Sequence, residues 1–342
     1  MKHLLTLLFM CLLPPQILAA GVVNVYAWGG EIPDAVVRDF ERTTGITVHL
    51  STFDSNETLY SRLKASPSGM YDVIAPSAYF VERMRRQGML APLDKRLLPH
   101  LKNLDKHFLN PEYDPKNRYS LPFIWGTTGI FYNRRTISPP PEDWESLWDK
   151  RFKNRLMLLD DSREVFSMAL LALGFNPNDV NPQHLQKAYE KLLTLVPNIR
   201  LFASENIQAI MIDEDANAGA AWNGDAWKAQ TENSDIAFIY PKSGFVIWVD
   251  CLAIPASAHN RLEAHRFIDF LLRAKTSANV ARISSQAITN IAGQKRLPPE
   301  IRINPVVYPP EDVLARGTFQ RDLDDKTLAI YNSLWQRLKV VF

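Results

Sequence analysis

From Val22 onward the chain repeats one pattern three times, an apolar run of strand length followed by a helix-like stretch. The runs are Val22 to Trp28, Ile46 to Phe53 and Tyr71 to Ser77, and the first helical stretch starts behind Pro33. Such a βαβαβα series has few solutions: the strands lie parallel in one sheet, and each helix packs on a sheet face through a right-handed crossover. In the first helix Val36, Val37 and Phe40 share a stripe for the sheet, and Thr44-Gly45 supplies the stop. Ligands of open α/β sheets gather at the carboxyl ends of strands, so a site is expected in the loops after Tyr26 and after Ala75.

A second α/β series follows a run from Phe123 to Tyr132 and the Pro139-Pro140-Pro141 connection. Its strands are expected at Leu156 to Leu159, Ala218 to Ala221 and Ile236 to Ile239, and its helices near Glu164 to Leu173 and Gln183 to Leu195. An apolar segment, Phe245 to Ile254, crosses back, and a Pro-rich tail ends in a helix carrying Leu328, Tyr331, Leu334 and Leu338. A chain of 342 residues on this plan is expected to form two α/β lobes, 21–126 with 249–294 and 127–248 with 295–342. More than one crossing strand between lobes makes hinging the expected motion.

Residues 1–20 read as an export signal: Lys2, an apolar stretch from Leu4 to Leu13, Pro14-Pro15, then small residues at Ala19 and Ala20. Ten residues of helix rise about 15 Å, half of a bilayer core of about 30 Å, so the stretch is too short to span. Cleavage is expected after Ala20, giving a soluble periplasmic chain with no stable membrane insertion. Losing Cys11 leaves Cys251 as the sole thiol, which excludes an internal disulfide, and its apolar setting marks it as inert rather than nucleophilic.

The 39 Lys and Arg against 37 Asp and Glu leave a net charge of +2, and no basic block tracks phosphates, so no nucleic acid partner is expected. No GxGxxG, Walker, HExxH, GxSxG or paired CxxC motif occurs, and the seven His are scattered without ligand spacing. Neither a cofactor nor a metal is therefore expected.

What stands out is a set of aromatics beside carboxylates or polar groups: Trp28, Ser77-Ala78-Tyr79, Asp160-Asp161-Ser162-Arg163-Glu164, Trp222-Asn223-Gly224-Asp225 and Trp248-Val249-Asp250. An organic polycation needs such partners, because an ammonium brings three donors and no acceptor, and burying it unpaired is expensive. Aromatic faces cover the methylene spacers and add about 0.5 to 2 kcal/mol where a cation lies over a ring. Two other readings stay open. Asp161 and Glu164 have the spacing of a helix capping box, and carboxylates with tryptophans also describe the sugar cleft of a secreted glycoside hydrolase or carbohydrate-binding protein. Trp144 and Trp148 are assigned to a core-facing helix and left out of the site.

These residues resemble the periplasmic polyamine-binding proteins of bacterial ABC importers, especially the spermidine/putrescine-binding type. The resemblance is densest in Ser55-Asn56-Glu57-Thr58, Tyr71 to Ser77, Ile124-Trp125-Gly126-Thr127, Asp160 to Phe166, Trp222-Asn223-Gly224 and Trp248 to Pro255. It implies a type II periplasmic-binding-protein fold that closes on a polyamine and presents it to an inner-membrane ABC permease, with no reaction catalysed. It further implies an aromatic box of Trp28, Tyr79, Trp222 and Trp248, amine-binding carboxylates Asp161, Glu164 and Asp250, and polar contacts from Ser77 and Gln320. Two positions depart from the family's pattern, Glu31 and Gln286 each standing where it carries a tyrosine. Glu31 is expected either to engage an extra ammonium or to point to solvent, which leaves the preferred amine open.

Overall fold

The computed structural model describes residues 21–66 and 69–342; the export signal expected over 1–20 lies outside the described residues. Its strands are β1 (Val22–Trp28), β2 (Thr47–Phe53), β3 (Val73–Ile74), β4 (Ser120–Asn133), β5 (Leu156–Leu158), β6 (Ile199–Phe202), β7 (Ala218–Trp222), β8 (Ile236–Ile239), β9 (Phe245–Ala253), β10 (Ala287–Ile288) and β11 (Gly317–Phe319). The main helices are α1 (Asp34–Thr44), α2 (Asn56–Ala65), α3 (Ala78–Arg86), α4 (Ser162–Ala172), α5 (Pro182–Leu195), α6 (Ile207–Ile212), α7 (Asn223–Glu232), α8 (Arg261–Leu271) and α9 (Ala274–Ser284). Three single turns, α10 (Ile291–Gln294), α11 (Pro299–Arg302) and α12 (Glu311–Leu314), lead to the long C-terminal α13 (Asp325–Val341).

The side-chain period of two builds a layered core. Along β1, Val23, Val25 and Ala27 pack into one cluster with α1, α8 and α9, while Tyr26 and Trp28 face another with α3. Along β5 the same alternation sends Leu156 and Leu158 towards α4, α5 and α13, and Met157 towards α6 and α7. Strand β1 is parallel to β2 and β3, and β5 is parallel to β6 and β7. Between these parallel groups run β4 and β9, antiparallel to each other, in the order β2-β1-β3-β9-β4-β7-β5-β6. Residues 120–127 of β4 pair with β9, and residues 128–132 then pair with β7, so one strand belongs to both groups.

Local chemistry explains most boundaries. Gly45 takes φ +71° at the end of α1 and donates its N–H to Glu41, a left-handed stop that glycine adopts without steric penalty. The run Tyr71 to Ser77 narrows to the two paired residues of β3, because its flanks are held otherwise: Asp72 takes the backbone N–H groups of Asn24 and Asn260, and Ser77 turns to Asp250. In α13, Tyr331, Leu334 and Leu338 are buried and Leu328 is half-buried. Trp144 is buried in the second series' core, its indole N–H on the carbonyl of Gly244, in a short 3-10 turn rather than an α-helix. Cys251 is a free, buried thiol beside the Tyr113 hydroxyl, 3.4 Å away, and burial pushes its pKa up.

Candidate functional site

One cavity of about 890 Å³ opens between the two parallel groups, within the range usual for small-molecule sites. All eleven residues singled out from the sequence line it: Trp28, Glu31, Ser77, Tyr79, Asp161, Glu164, Trp222, Trp248, Asp250, Gln286 and Gln320.

Strand ends deliver the first wall. After β1 the chain turns at Gly30, φ +76°, and Glu31 folds back so that its Oε2 accepts the Trp28 N–H at 3.2 Å. Glu31 is 3% exposed and its Oε1 has no protein donor, so it does not point to solvent. After β3 the Ser77 hydroxyl donates to Asp250 Oδ1 at 2.6 Å, which ties the first wall to the crossing strand β9. Trp248 and Asp250 are two residues apart on β9 and therefore share a face, whereas Cys251 between Asp250 and Leu252 faces the core. Gly126 on β4 lies opposite Trp248; a Cβ there would sit 2.3 Å from the indole, so only glycine lets the ring lie across that strand.

The second wall comes from helix starts. Asp161 caps α4, its Oδ1 accepting the N–H groups of Arg163 at 2.7 Å and Glu164 at 3.0 Å. The reciprocal half of a capping box is not made: Glu164, 7% exposed, lines the cavity with Oε2 unpartnered. Asp161 therefore both caps α4 and lines the cavity, whereas Glu164 serves the cavity alone. Trp222 ends β7, and the following Asn223 accepts the Thr127 N–H and donates to the Val306 carbonyl. Across the opening, Gln286 approaches so closely that a Cβ on Gly224 would meet its Oε1 at 2.4 Å.

The sequence assigns no role of their own to three residues at the cavity or its edge. Asn56, 1% exposed, donates to the Ser77 and Tyr79 hydroxyls, both at 3.0 Å, and accepts the Ser77 N–H, so it sets the positions of both. Asp225, which the sequence sets beside Trp222 without a role of its own, also lines the cavity and accepts from Gln208 at 2.8 Å. Glu57 stands at the seam, near Asp161 and Arg163. The Ser55-Asn56-Glu57-Thr58 run enters the sequence reading only through the resemblance; Ser55 caps α2, and nothing local announces that Asn56 bonds to Ser77 and Tyr79, 21 and 23 positions away.

Electrostatically the wall is lopsided. Eight carboxylates line it against two cations, the exposed Arg38 and the half-buried Lys228. Among the described residues none of Glu31, Asp161, Glu164 and Asp250 is in an ion pair. Burial pushes Glu164 up to about 8, with the Asp161 charge adding to it, and pushes Asp250 up to about 7 against the Ser77 bond. Burial and the neighbouring Asp250 raise Glu31 well above the usual carboxylate range. Acids clustered this way hold protons unless a cation displaces them. No group of His, Cys, Asp and Glu among the described residues is arranged to hold a metal ion.

Comparison with known proteins points the same way. Residues 35–292 match the family model described as bacterial extracellular solute-binding protein. The chain is 40% identical to a spermidine/putrescine-binding periplasmic protein of Salmonella typhimurium over 315 residues, 92% of this chain and 90% of that one. It is 42% identical to spermidine/putrescine-binding periplasmic protein 1 of Haemophilus influenzae, over 94% of this chain and 89% of that one. Among solved structures, a putative spermidine/putrescine ABC transporter from Listeria monocytogenes superposes with a TM-score of 0.92 at 34% identity, covering 94% of this chain and all of that one.

Proposed function

This chain belongs to the bacterial extracellular solute-binding proteins and has their type II periplasmic-binding-protein fold, and from that premise we propose that it captures a polyamine in the periplasm and delivers it to an inner-membrane ABC permease. The observation that carries the reading is the set of acids that, among the described residues, make no ion pair with a protein cation, walled by Trp28, Tyr79, Trp222 and Trp248. A chain with ammonium groups at intervals supplies the donors these acids lack, and its methylenes pack on the rings. Relatives named for spermidine and putrescine support the substrate class, and no helix among the described residues is long and apolar enough to cross a membrane.

The moving bodies in this reading are 21–126 with 249–294, and 127–248 with 295–342, hinged on β4 and β9. The tail divides its packing: Leu297 lies in the core of the first series, while Tyr331, Leu334 and Leu338 lie in that of the second. Closure brings Asp161, Glu164 and Trp222 towards Trp28, Glu31 and Asp250, so ligand contacts available only in the closed form shift the population towards it.

The chain works in this reading by binding alone, without catalysis. The glycoside hydrolase and carbohydrate-binding alternative gains nothing from the relatives, whose names describe binding of spermidine and putrescine. Calorimetric titration of the mature chain with putrescine, cadaverine, spermidine, spermine and a neutral sugar tests the proposal. Saturable binding of one or more amines, with no heat from the sugar, is the expected result; sugar binding without amine binding would reverse it.

A further inference from the structure

Outside the cavity, the densest polar contact between the two series of elements is made by a single arginine. Arg83 lies on α3 and is 6% exposed, yet every acceptor it reaches belongs to the C-terminal tail. Its Nε donates to Asp322 Oδ1 at 3.0 Å, one terminal nitrogen donates to Asp325 Oδ1 at 2.7 Å, and the other donates to the Leu323 carbonyl at 2.5 Å. Asp322 is itself 6% exposed at the side chain, and Arg86 approaches its second oxygen at 3.5 Å.

The tail at this point is a strap. It pairs with β9 through β11, at Gly317 to Phe319, and it enters α13, which packs on α4 and α5. Between those anchors successive residues face three ways. Gln320 lines the cavity, with Nε2 unpartnered; the Arg321 carbonyl accepts from Arg163, at 3.3 Å; Asp322 takes Arg83. Arg163 is buried, and its guanidinium lies 5.3 Å from the Tyr79 ring centroid and 5.4 Å from that of Tyr331. The charged groups facing Arg83 are Asp322 and Asp325 from the strap, Glu57 from α2, and Glu82 and Arg86 from its own helix.

We propose that Arg83 is a positioning residue for ligand retention: by gripping Asp322 and Asp325 it locks the Gln320 strap against α3 and holds the two halves shut. The substrate class rests on the polyamine reading above, but the grip does not. All its donors and acceptors are protein groups, so it biases the halves towards closure with or without ligand. A planar guanidinium spans three acceptors at once, which an ammonium on a flexible stem does not, so lysine keeps the charge and loses the grip.

The test uses the full mature chain with spermidine as probe and the cavity tryptophans as reporters. In stopped-flow fluorescence, Arg83→Lys and Asp322→Asn are expected to leave the association rate within about twofold and to raise the dissociation rate at least about tenfold, equivalent to about 1.4 kcal/mol. In X-ray scattering the ligand-free variants are expected to have a larger radius of gyration than ligand-free wild type. Asp325 is 87% exposed at the side chain, so Asp325→Asn folds even if the buried pair does not tolerate change, and it is expected to show the same trend more weakly. Unchanged dissociation in the folded variants, or unchanged scattering, overturns the proposal. A wild-type chain that takes up no polyamine counts against the substrate reading instead, and the scattering arm still decides on Arg83.

Discussion

Asp250 is where the wall's constraints converge: one oxygen takes the Ser77 hydroxyl, the neighbouring Glu31 shares its field, and it sits on a strand common to both halves. Asp250→Asn keeps the shape and removes the charge, and truncating one partner of a buried charged pair costs about 2 to 5 kcal/mol. The expected result is the largest loss of polyamine affinity among the site's carboxamide variants, read by calorimetry; unchanged affinity would remove Asp250 from the site. Glu31→Gln is expected to weaken binding more for spermine and spermidine than for putrescine, since a second acid beside Asp250 favours a denser charge. Equal affinities to wild type for all three amines would show that Glu31 touches none of them. Asp250 is legible in sequence because it carries its charge two residues from Trp248, whereas Glu31 is legible only through the resemblance, as a departure from its pattern. Asn56 is not, because its role exists only once α2 and the loop after β3 meet.

At the scale of elements, Asp161 serves both a helix and a cavity, and two substitutions separate the roles. Asp161→Ala removes the cap of α4, worth about 0.5 to 2 kcal/mol, together with the charge. Asp161→Ser retains a capping oxygen and removes only the charge. Melting curves are expected to place the Ser variant near wild type and the Ala variant below it, while calorimetry shows reduced amine affinity in both. Equal melting of Ala and wild type would deny the cap, and undiminished affinity in Ser would deny the contact. The elements that sequence makes plain are those with a period: β1, β5 and β8 lie within a residue of the expected runs, as does α5. α8 and α9 go unannounced because their buried faces mix Ala, His, Asp, Thr and Ser with large apolar residues, which blurs the stripe. β10 and β11 have two and three residues, too few to show any period.

For the whole molecule, the same acids that suit a cation weaken the chain without one. Glu164 at about 8 and Asp250 at about 7 are raised mainly by burial, as is the half-buried Glu57 at the seam, also to about 7. In the unfolded chain these groups titrate near the ordinary value of about 4. Between about pH 4 and pH 8 the folded chain thus holds protons that the unfolded chain has released, so ligand-free stability falls as pH rises through that window. Asp94, lowered to about 2 by its Arg96 partner, has the opposite sign, but its effect falls below pH 4 and leaves the window unchanged. Each pKa unit sustained by a buried acid corresponds to about 1.4 kcal/mol. A polyamine, predominantly cationic across this range, must displace the protons before it can pair with the carboxylates. Binding is then expected to release protons, to strengthen as pH rises from about 5 to 8, and to give calorimetric heats that scale with the buffer's ionisation enthalpy. Over the same range the melting temperature of the ligand-free chain is expected to fall while the increment added by ligand grows. Heats independent of buffer, with a flat ligand-free melting profile, would mean that the acids are already ionised in the cavity, and the link between their burial and cation capture would fail.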